Sequence, residues 1–305
     1  MKKLLSRLSK KVKILIVVIL IVILLAVGLG VYFGVFFEAP HGINLEEYLS
    51  NAKLVWGDEF DGNTLDESKW SIQGKGEKIA RRGGYWTEDA IKVIDGNLVI
   101  STYKDNGYYH SGALITEDKY ESKFGYYETR CILPKAYGIW SAFWMMPTTE
   151  LFELGETNAN KAGAEIDIFE APAYPNLRVQ QAFHIGGYEE NHKSTTNPKW
   201  LTASYGDIYD SYHTYGLYWD EKTYVYYVDG VEVWSHAKKK NISHVLEYLF
   251  LSVEVGGYVD DNGLPVTGVA WNNPLMFKNP DFEGNDWSKT YNFAIDYVRH
   301  YQIEQ

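Results

Sequence analysis

The chain has 305 residues, with 10 Trp, 25 Tyr and 13 Phe against a single Cys and four Met. Its formal net charge is −11, and six of its 29 cations precede residue 14, so the rest sets 23 Lys and Arg against 40 Asp and Glu, or −17. One Cys excludes an internal disulfide framework, and the acidic balance excludes the basic footprint that nucleic acid needs, while mildly disfavouring a heavily sulfated polysaccharide.

The first element in chain order is a basic tail, residues 1–13, with Lys2, Lys3, Arg7, Lys10, Lys11 and Lys13. From Ile14 to Phe37 every residue is apolar, Gly or Tyr. That run exceeds the roughly 20 residues a helix needs to cross a bilayer. With six cations before it and Glu38, Glu46 and Glu47 after it, residues 14–37 are expected to be a transmembrane signal-anchor. The tail is then cytoplasmic and the remainder extracellular or lumenal, as in a type II membrane protein. A cleaved signal peptide is the rival reading, and would leave the rest secreted. Residues 38–52 read as a stalk, and 53–305 as one domain without a linker or low-complexity tract.

Within that domain, short alternating runs recur between turn signals. Lys92–Ile94 and Leu98–Thr102 flank Asp95-Gly96-Asn97, and Thr223–Val228 and Val231–Trp234 flank Asp229-Gly230. Asp and Gly tolerate the positive φ of tight hairpin turns, so both are read as β-hairpins. No sustained helical periodicity follows the membrane run, and the many aromatic residues suit pleated, half-buried surfaces. The expectation is an all-β sandwich or jelly roll with few, short helices. Cys131, within Tyr127–Leu133, is read as a small buried hydrophobe and not as a nucleophile. Asn241-Ile242-Ser243 is a glycosylation sequon.

The unusual stretch is Gly163-Ala164-Glu165-Ile166-Asp167-Ile168-Phe169-Glu170-Ala171. Alternation along a strand puts Glu165 and Asp167 on one face and Ile166 and Ile168 on the other. Strict alternation would bury Glu170, whereas a β-bulge after Asp167 returns it to the acidic face. Three crowded carboxylates repel, raise at least one pKa and cost stability. Retaining glycoside hydrolysis requires two carboxyl groups about 5–5.5 Å apart, one ionised and one protonated, which such a strand could supply. A solvated polar face or a Ca²⁺ site are the structural alternatives.

Neighbouring segments weigh on that choice. They run in order from Leu54-Val55-Trp56-Gly57-Asp58-Glu59-Phe60-Asp61-Gly62 through Asp95-Gly96-Asn97-Leu98 and Phe124–Arg130 to Gly138-Ile139-Trp140-Ser141-Ala142-Phe143-Trp144-Met145-Met146-Pro147. After the acidic strand come His213–Trp219, Tyr227-Val228-Asp229-Gly230 and Ile295-Asp296-Tyr297-Val298-Arg299. With these segments the chain resembles glycoside hydrolase family 16, in the branch carrying the bulged Glu-x-Asp-x-x-Glu, which includes laminarinases, agarases and carrageenases. The resemblance implies a concanavalin A-like jelly roll with an open concave cleft, acting as a monomeric catalytic domain without a catalytic cofactor. It implies Glu165 as nucleophile, Glu170 as acid/base and Asp167 as assisting acid. It further implies Trp140 and Trp144 as sugar platforms, His184 as a cleft histidine and Trp86 as a distal subsite ring.

Some relatives hold a structural Ca²⁺, for which Glu59, the Gly96 carbonyl and Asp296 are the positions implied here. Two departures from the family pattern are Arg81-Arg82-Gly83-Gly84-Tyr85-Trp86 and Glu254. The expected activity is hydrolysis of internal β-1,3 or mixed β-1,3/1,4 linkages in a β-glucan by double displacement. A β-galactan hydrolase of the agarose or carrageenan type, and a transglycosylase, are the enzymatic alternatives. A non-catalytic β-glucan-binding receptor is the alternative of another class, and retention of all three acids speaks against it.

Overall fold

Asp95 and Gly96 take positive φ of 50° and 73°, and Asp229 and Gly230 take 49° and 74°, so each pair closes a two-residue turn between antiparallel strands. Both hairpins belong to one large sheet. The computed structural model describes residues 43–171, 179–198, 208–267 and 285–304, and residues 44–305 form one compact unit. The basic tail 1–13 and the expected membrane segment 14–37 lie outside the described residues. Among the described residues no helix is long and apolar enough to cross a membrane.

Two sheets, one of eleven strands and one of eight, make an antiparallel sandwich. The eight-stranded sheet runs, edge to edge, through Lys193–Thr196, Gln180–Ile185, Glu165–Ala171, Ile139–Pro147, Glu247–Val255, Ala113–Ile115 and Ser71–Ile72, with Glu121–Ser122 beside Glu247–Val255. The eleven-stranded sheet is centred on Gly125–Ile132 and Tyr291–Gln302 and ends at the small hairpin Ile79–Arg81 and Gly84–Trp86. That hairpin is set on the rest of its sheet by parallel pairing of Gly84–Trp86 with Tyr108–Ser111.

Rings from both sheets fill the space between them. Phe169 of the eight-stranded sheet packs 4.3 Å from Tyr215 and 6.1 Å from Phe293 of the other. Ile166, Ile168 and Phe183 are buried in the same core. Each fully buried ring of this size contributes roughly 1.5–3 kcal/mol relative to exposure, so the core holds the sandwich without disulfides. Cys131 is free and buried, and burial pushes its thiol well above its ordinary value, as suits a packing residue.

Part of the expected stalk is ordered. Leu45–Asn51 is an α-helix whose N-cap Asn44 accepts a hydrogen bond from the Glu47 amide at 3.2 Å. Tyr48 fastens it to the sandwich, donating to the Tyr301 carbonyl at 3.3 Å and meeting the Tyr218 ring edge-on at 5.1 Å. The sequon residue Asn241 is buried, with its side-chain amide 3.3 Å from the His236 ring, so the folded domain does not present it for glycosylation.

Candidate active site

The strand Glu165–Ala171 lies inside the eight-stranded sheet, paired on one side with Ile139–Pro147 and on the other with Gln180–Ile185. Its register breaks on both sides. Trp144 and Phe143 face Asp167 and Phe169, and Asp167 and Glu170 face Ala182 and Gln180, which leaves one extra residue on the acidic strand. The bulge therefore falls at Ile168, directly after Asp167. Its consequence is that Ile166, Ile168 and Phe169 all enter the core while Glu165, Asp167 and Glu170 all line the opposite, open face. Small neighbours leave room for the acids, since Ala182 stands opposite Asp167 and Ala142 opposite Glu170.

The three acids line a trench of about 640 Å³. Glu165, Asp167 and His184 present oxygen and nitrogen atoms all within 4.8 Å of one another. The His184 Nε2 lies 3.3 Å from Asp167 Oδ2 and 3.7 Å from Glu165 Oε1, while its Nδ1 lies 2.8 Å from His192 Nε2. Burial opposes a charge on His184, yet the hydrogen bond to Asp167 and the surrounding carboxylates push its pKa up to about 9. A protonated ring would donate from Nδ1 to His192 and set its charged Nε2–H beside Asp167. His192 suits the acceptor role, because burial and the adjacent cation hold its own pKa down.

Burial and repulsion from Asp167 raise Glu165 to about 7, and the same two causes raise Glu170 well above the ordinary carboxylate range. Both shifts favour the protonated acid over the carboxylate. Such a pair can do acid/base and nucleophilic work, with apparent titrations that belong to the coupled group as a whole.

The remaining walls come from three elements. Trp140, Trp144 and Met146 project from Ile139–Pro147, Phe250, Ser252 and Glu254 from Glu247–Val255, and Arg81, Arg82 and Trp86 from the small hairpin. Trp144 stacks on Phe250 at 4.0 Å and donates from Nε1 to the Ser252 hydroxyl at 3.0 Å. Arg81 Nε lies 2.8 Å from Glu254 Oε1, and Arg82 pairs with the other oxygen of the same carboxylate. The guanidinium of Arg81 sits 4.9 Å over Trp86, and that of Arg82 sits 4.9 Å over Trp140.

Comparison with known proteins places this geometry. The model of the beta-porphyranase A-D, GH16 domain, matches residues 54–303. The chain belongs to glycoside hydrolase family 16. Among its relatives is glucan endo-1,3-beta-glucosidase A1 of Niallia circulans, 28% identical over 261 residues, covering 73% of this chain and 37% of that protein. Beta-porphyranase B of Zobellia galactanivorans is 26% identical over 217 residues, covering 63% of this chain and 72% of that one. Among solved structures, the laminarinase catalytic domain of Thermotoga maritima matches with a TM-score of 0.62 at 26% identity, over 84% of this chain and all of that one. The chain spans less than half the length of the first curated relatives it matches. The sandwich is accordingly a family 16 jelly roll, and the family needs no cofactor for catalysis.

Seen within family 16, the structure brings Glu165, Asp167, Glu170, Trp140, Trp144, His184 and Trp86 to one trench. It qualifies the part expected of two of them. Trp86 and Trp140 are buried, and each carries a guanidinium over its ring, whereas Trp144 keeps part of its surface open to the trench. The two departures from the family pattern are explained together, because Arg81 and Arg82 are the partners of Glu254.

The carboxylates expected to hold a Ca²⁺ are otherwise engaged in this structure. Glu59, Gly96 and Asp296 come near one stretch of Tyr291–Gln302, since Asp58 pairs with Val298 and Leu98 with Ile295. Their carboxylates are engaged elsewhere, however: Glu59 makes a two-pronged pair with Arg299 at 2.8 and 2.7 Å, and Asp296 pairs with Arg130 at 2.6 Å. A cation there would have to displace two guanidinium groups, and the residues present do not fit it.

Sequence reasoning missed Tyr188 and His192. Both sit on the turn that follows Gln180–Ile185, and Gly186-Gly187 was the available signal that the chain folds back there onto the acidic strand.

Proposed function

We propose that this chain is a retaining endo-glycosidase that cleaves internal β-1,3 or mixed β-1,3/1,4 glucan linkages. Glu165 attacks the anomeric carbon as nucleophile, and Glu170 protonates the leaving oxygen and then activates water, with Asp167 steadying the charge between them. The observation carrying this reading is the bulge at Ile168, which puts three acids on one open face and drives two of their pKa values upward. The relatives named above, which include a glucan endo-1,3-beta-glucosidase, support the choice of sugar.

Cleavage of a β-galactan is the second reading, favoured by a specific feature of the trench. Two guanidinium groups share one carboxylate, leaving a net cation in the glycan path, and the matching family model is that of beta-porphyranases. The test is reducing-end release by the full-length chain from laminarin, lichenan, agarose, carrageenan and porphyran. Release from laminarin or lichenan is expected, whereas release from the galactans alone would replace the first reading with the second. No release from any of them by the wild type, with binding retained, would overturn catalysis itself. The apolar run 14–37 and its flanking charges support anchoring to a bilayer with the catalytic domain outside, which recovery of the chain in the membrane fraction would test.

A further inference from the structure

Tyr188 presents a ring that is 49% exposed at the edge of the trench. Its placement is built in. Gly186 and Gly187 carry it on a turn with φ of 80° and 65°, where an added Cβ would meet the Asn191 carbonyl oxygen at 2.4 Å and the Phe152 carbonyl oxygen at 2.7 Å respectively. Asn191 ties that turn to the Gly155 carbonyl at 3.1 Å, and the buried Phe152 ring takes the edge of Tyr188 at 5.5 Å. From there the phenol oxygen reaches Oε2 of Glu165, with Met146 Sδ 3.4 Å away. The two oxygens of Glu165 are therefore not equivalent. Oε2 accepts a hydrogen bond from Tyr188, whereas Oε1 faces, among the described residues, the more distant His184 Nε2 at 3.7 Å.

We propose that Tyr188 is a positioning residue for the nucleophile: its hydroxyl holds Oε2 of Glu165 so that Oε1 is the oxygen that attacks. The proposal rests on the assignment of Glu165 as nucleophile made above. In the step it serves, a lone pair of Oε1 forms the bond to the anomeric carbon. The bond from that carbon to the leaving oxygen breaks with its electron pair, and the proton of Glu170 goes to that oxygen.

Burial and the adjacent Glu165 push the Tyr188 phenol far up, so it keeps its proton and donates throughout the working range. Donation to a carboxylate favours its ionised form, and Tyr188 acts on Glu165 in the same direction as His184 and Arg81, against burial and Asp167. Those groups, with Glu170 on the same strand, Arg82 of the small hairpin and Glu247 of the strand Glu247–Val255, are the charges that act on Glu165 from the elements around it.

The experiment compares wild type, Tyr188→Phe and Glu165→Gln in the full-length chain, in detergent, on whichever polysaccharide of the panel the wild type cuts. Tyr188→Phe keeps the ring on Phe152, so unchanged melting is expected. Its kcat is expected to fall about tenfold with KM within threefold, and the acid limb of its kcat/KM profile to move up by about one pH unit. A wild-type kcat, or a lower kcat with an unmoved acid limb, would overturn the proposal, the second by showing a packing role only. Glu165→Gln separates the two levels of the argument. If it is inactive while Tyr188→Phe behaves as wild type, only the positioning role fails; if it turns over normally, the assignment of the nucleophile fails.

Discussion

The bulged acidic strand and the tip of the arginine hairpin face the same trench and treat buried charge in opposite ways. On the strand, three carboxylates crowd together with His184 paired to two of them and only the fields of Arg81 and Arg82 added to it, and two of the three are driven toward their neutral forms. At the hairpin, the single buried carboxylate of Glu254 has two guanidinium groups, and burial followed by repulsion from Arg81 pulls Arg82 down to about 9. One region is left electrostatically unsatisfied and the other is over-supplied with counter-charge. The lesson is that strain concentrated where chemistry needs a poised proton can sit beside a charge cluster whose first effect is to hold a wall in place.

The contrast is broken most severely by neutralising the strand. Glu165→Gln and Glu170→Gln are each expected to lower kcat on the cleaved polysaccharide by a factor on the order of 10³ or more, measured as reducing ends released, without loss of the fold. At the hairpin the expected loss is in stability. Glu254→Ala leaves two part-buried guanidinium groups facing each other and is expected to cost about 3 kcal/mol in chemical denaturation. Arg82→Met in that background should recover part of it. Equal stability of Glu254→Ala and wild type would show the cluster to be solvated and the contrast unfounded.

A smaller effect of opposite sign sharpens the comparison. Because the folded-state pKa of Glu165 lies near 7, above its ordinary value, its contribution to stability is full at low pH and is lost as pH rises through about 7. Glu165→Gln removes that dependence, so at pH 8 the variant is expected to be more stable than wild type by about 1–3 kcal/mol, and no more stable near pH 4. The smallest expected effect concerns His184, whose pKa is raised to about 9. Its stabilising contribution is present below the ordinary histidine range and fades as pH rises through about 9. His184→Asn should flatten that part of the stability profile by about 1 kcal/mol, read from melts across pH 6–10.

The alternation of Lys92–Thr102 and of Thr223–Trp234, with turn pairs that tolerate positive φ, determined two hairpins outright. The run of acids, with Ile166 and Ile168 between them, determined the strand and required the bulge, because burying Glu170 among Ile and Phe would cost more than one unpaired backbone position. These are local properties, written in neighbours a few residues apart. What only the tertiary structure decided are contacts made across long separations in the chain. Arg81 and Arg82 meet Glu254 because a hairpin tip from the edge of one sheet folds over the face of the other, and Tyr188 meets Glu165 because a Gly-Gly turn returns the chain to the acidic strand. The helix Leu45–Asn51 was read as stalk because about two turns with no buried face leave no periodicity to detect, and it is fixed by Tyr48 reaching Tyr301 and Tyr218. Glu59 and Asp296 looked like free cation ligands for the same reason, since nothing near them in the sequence announces that Arg299 and Arg130 will take their carboxylates.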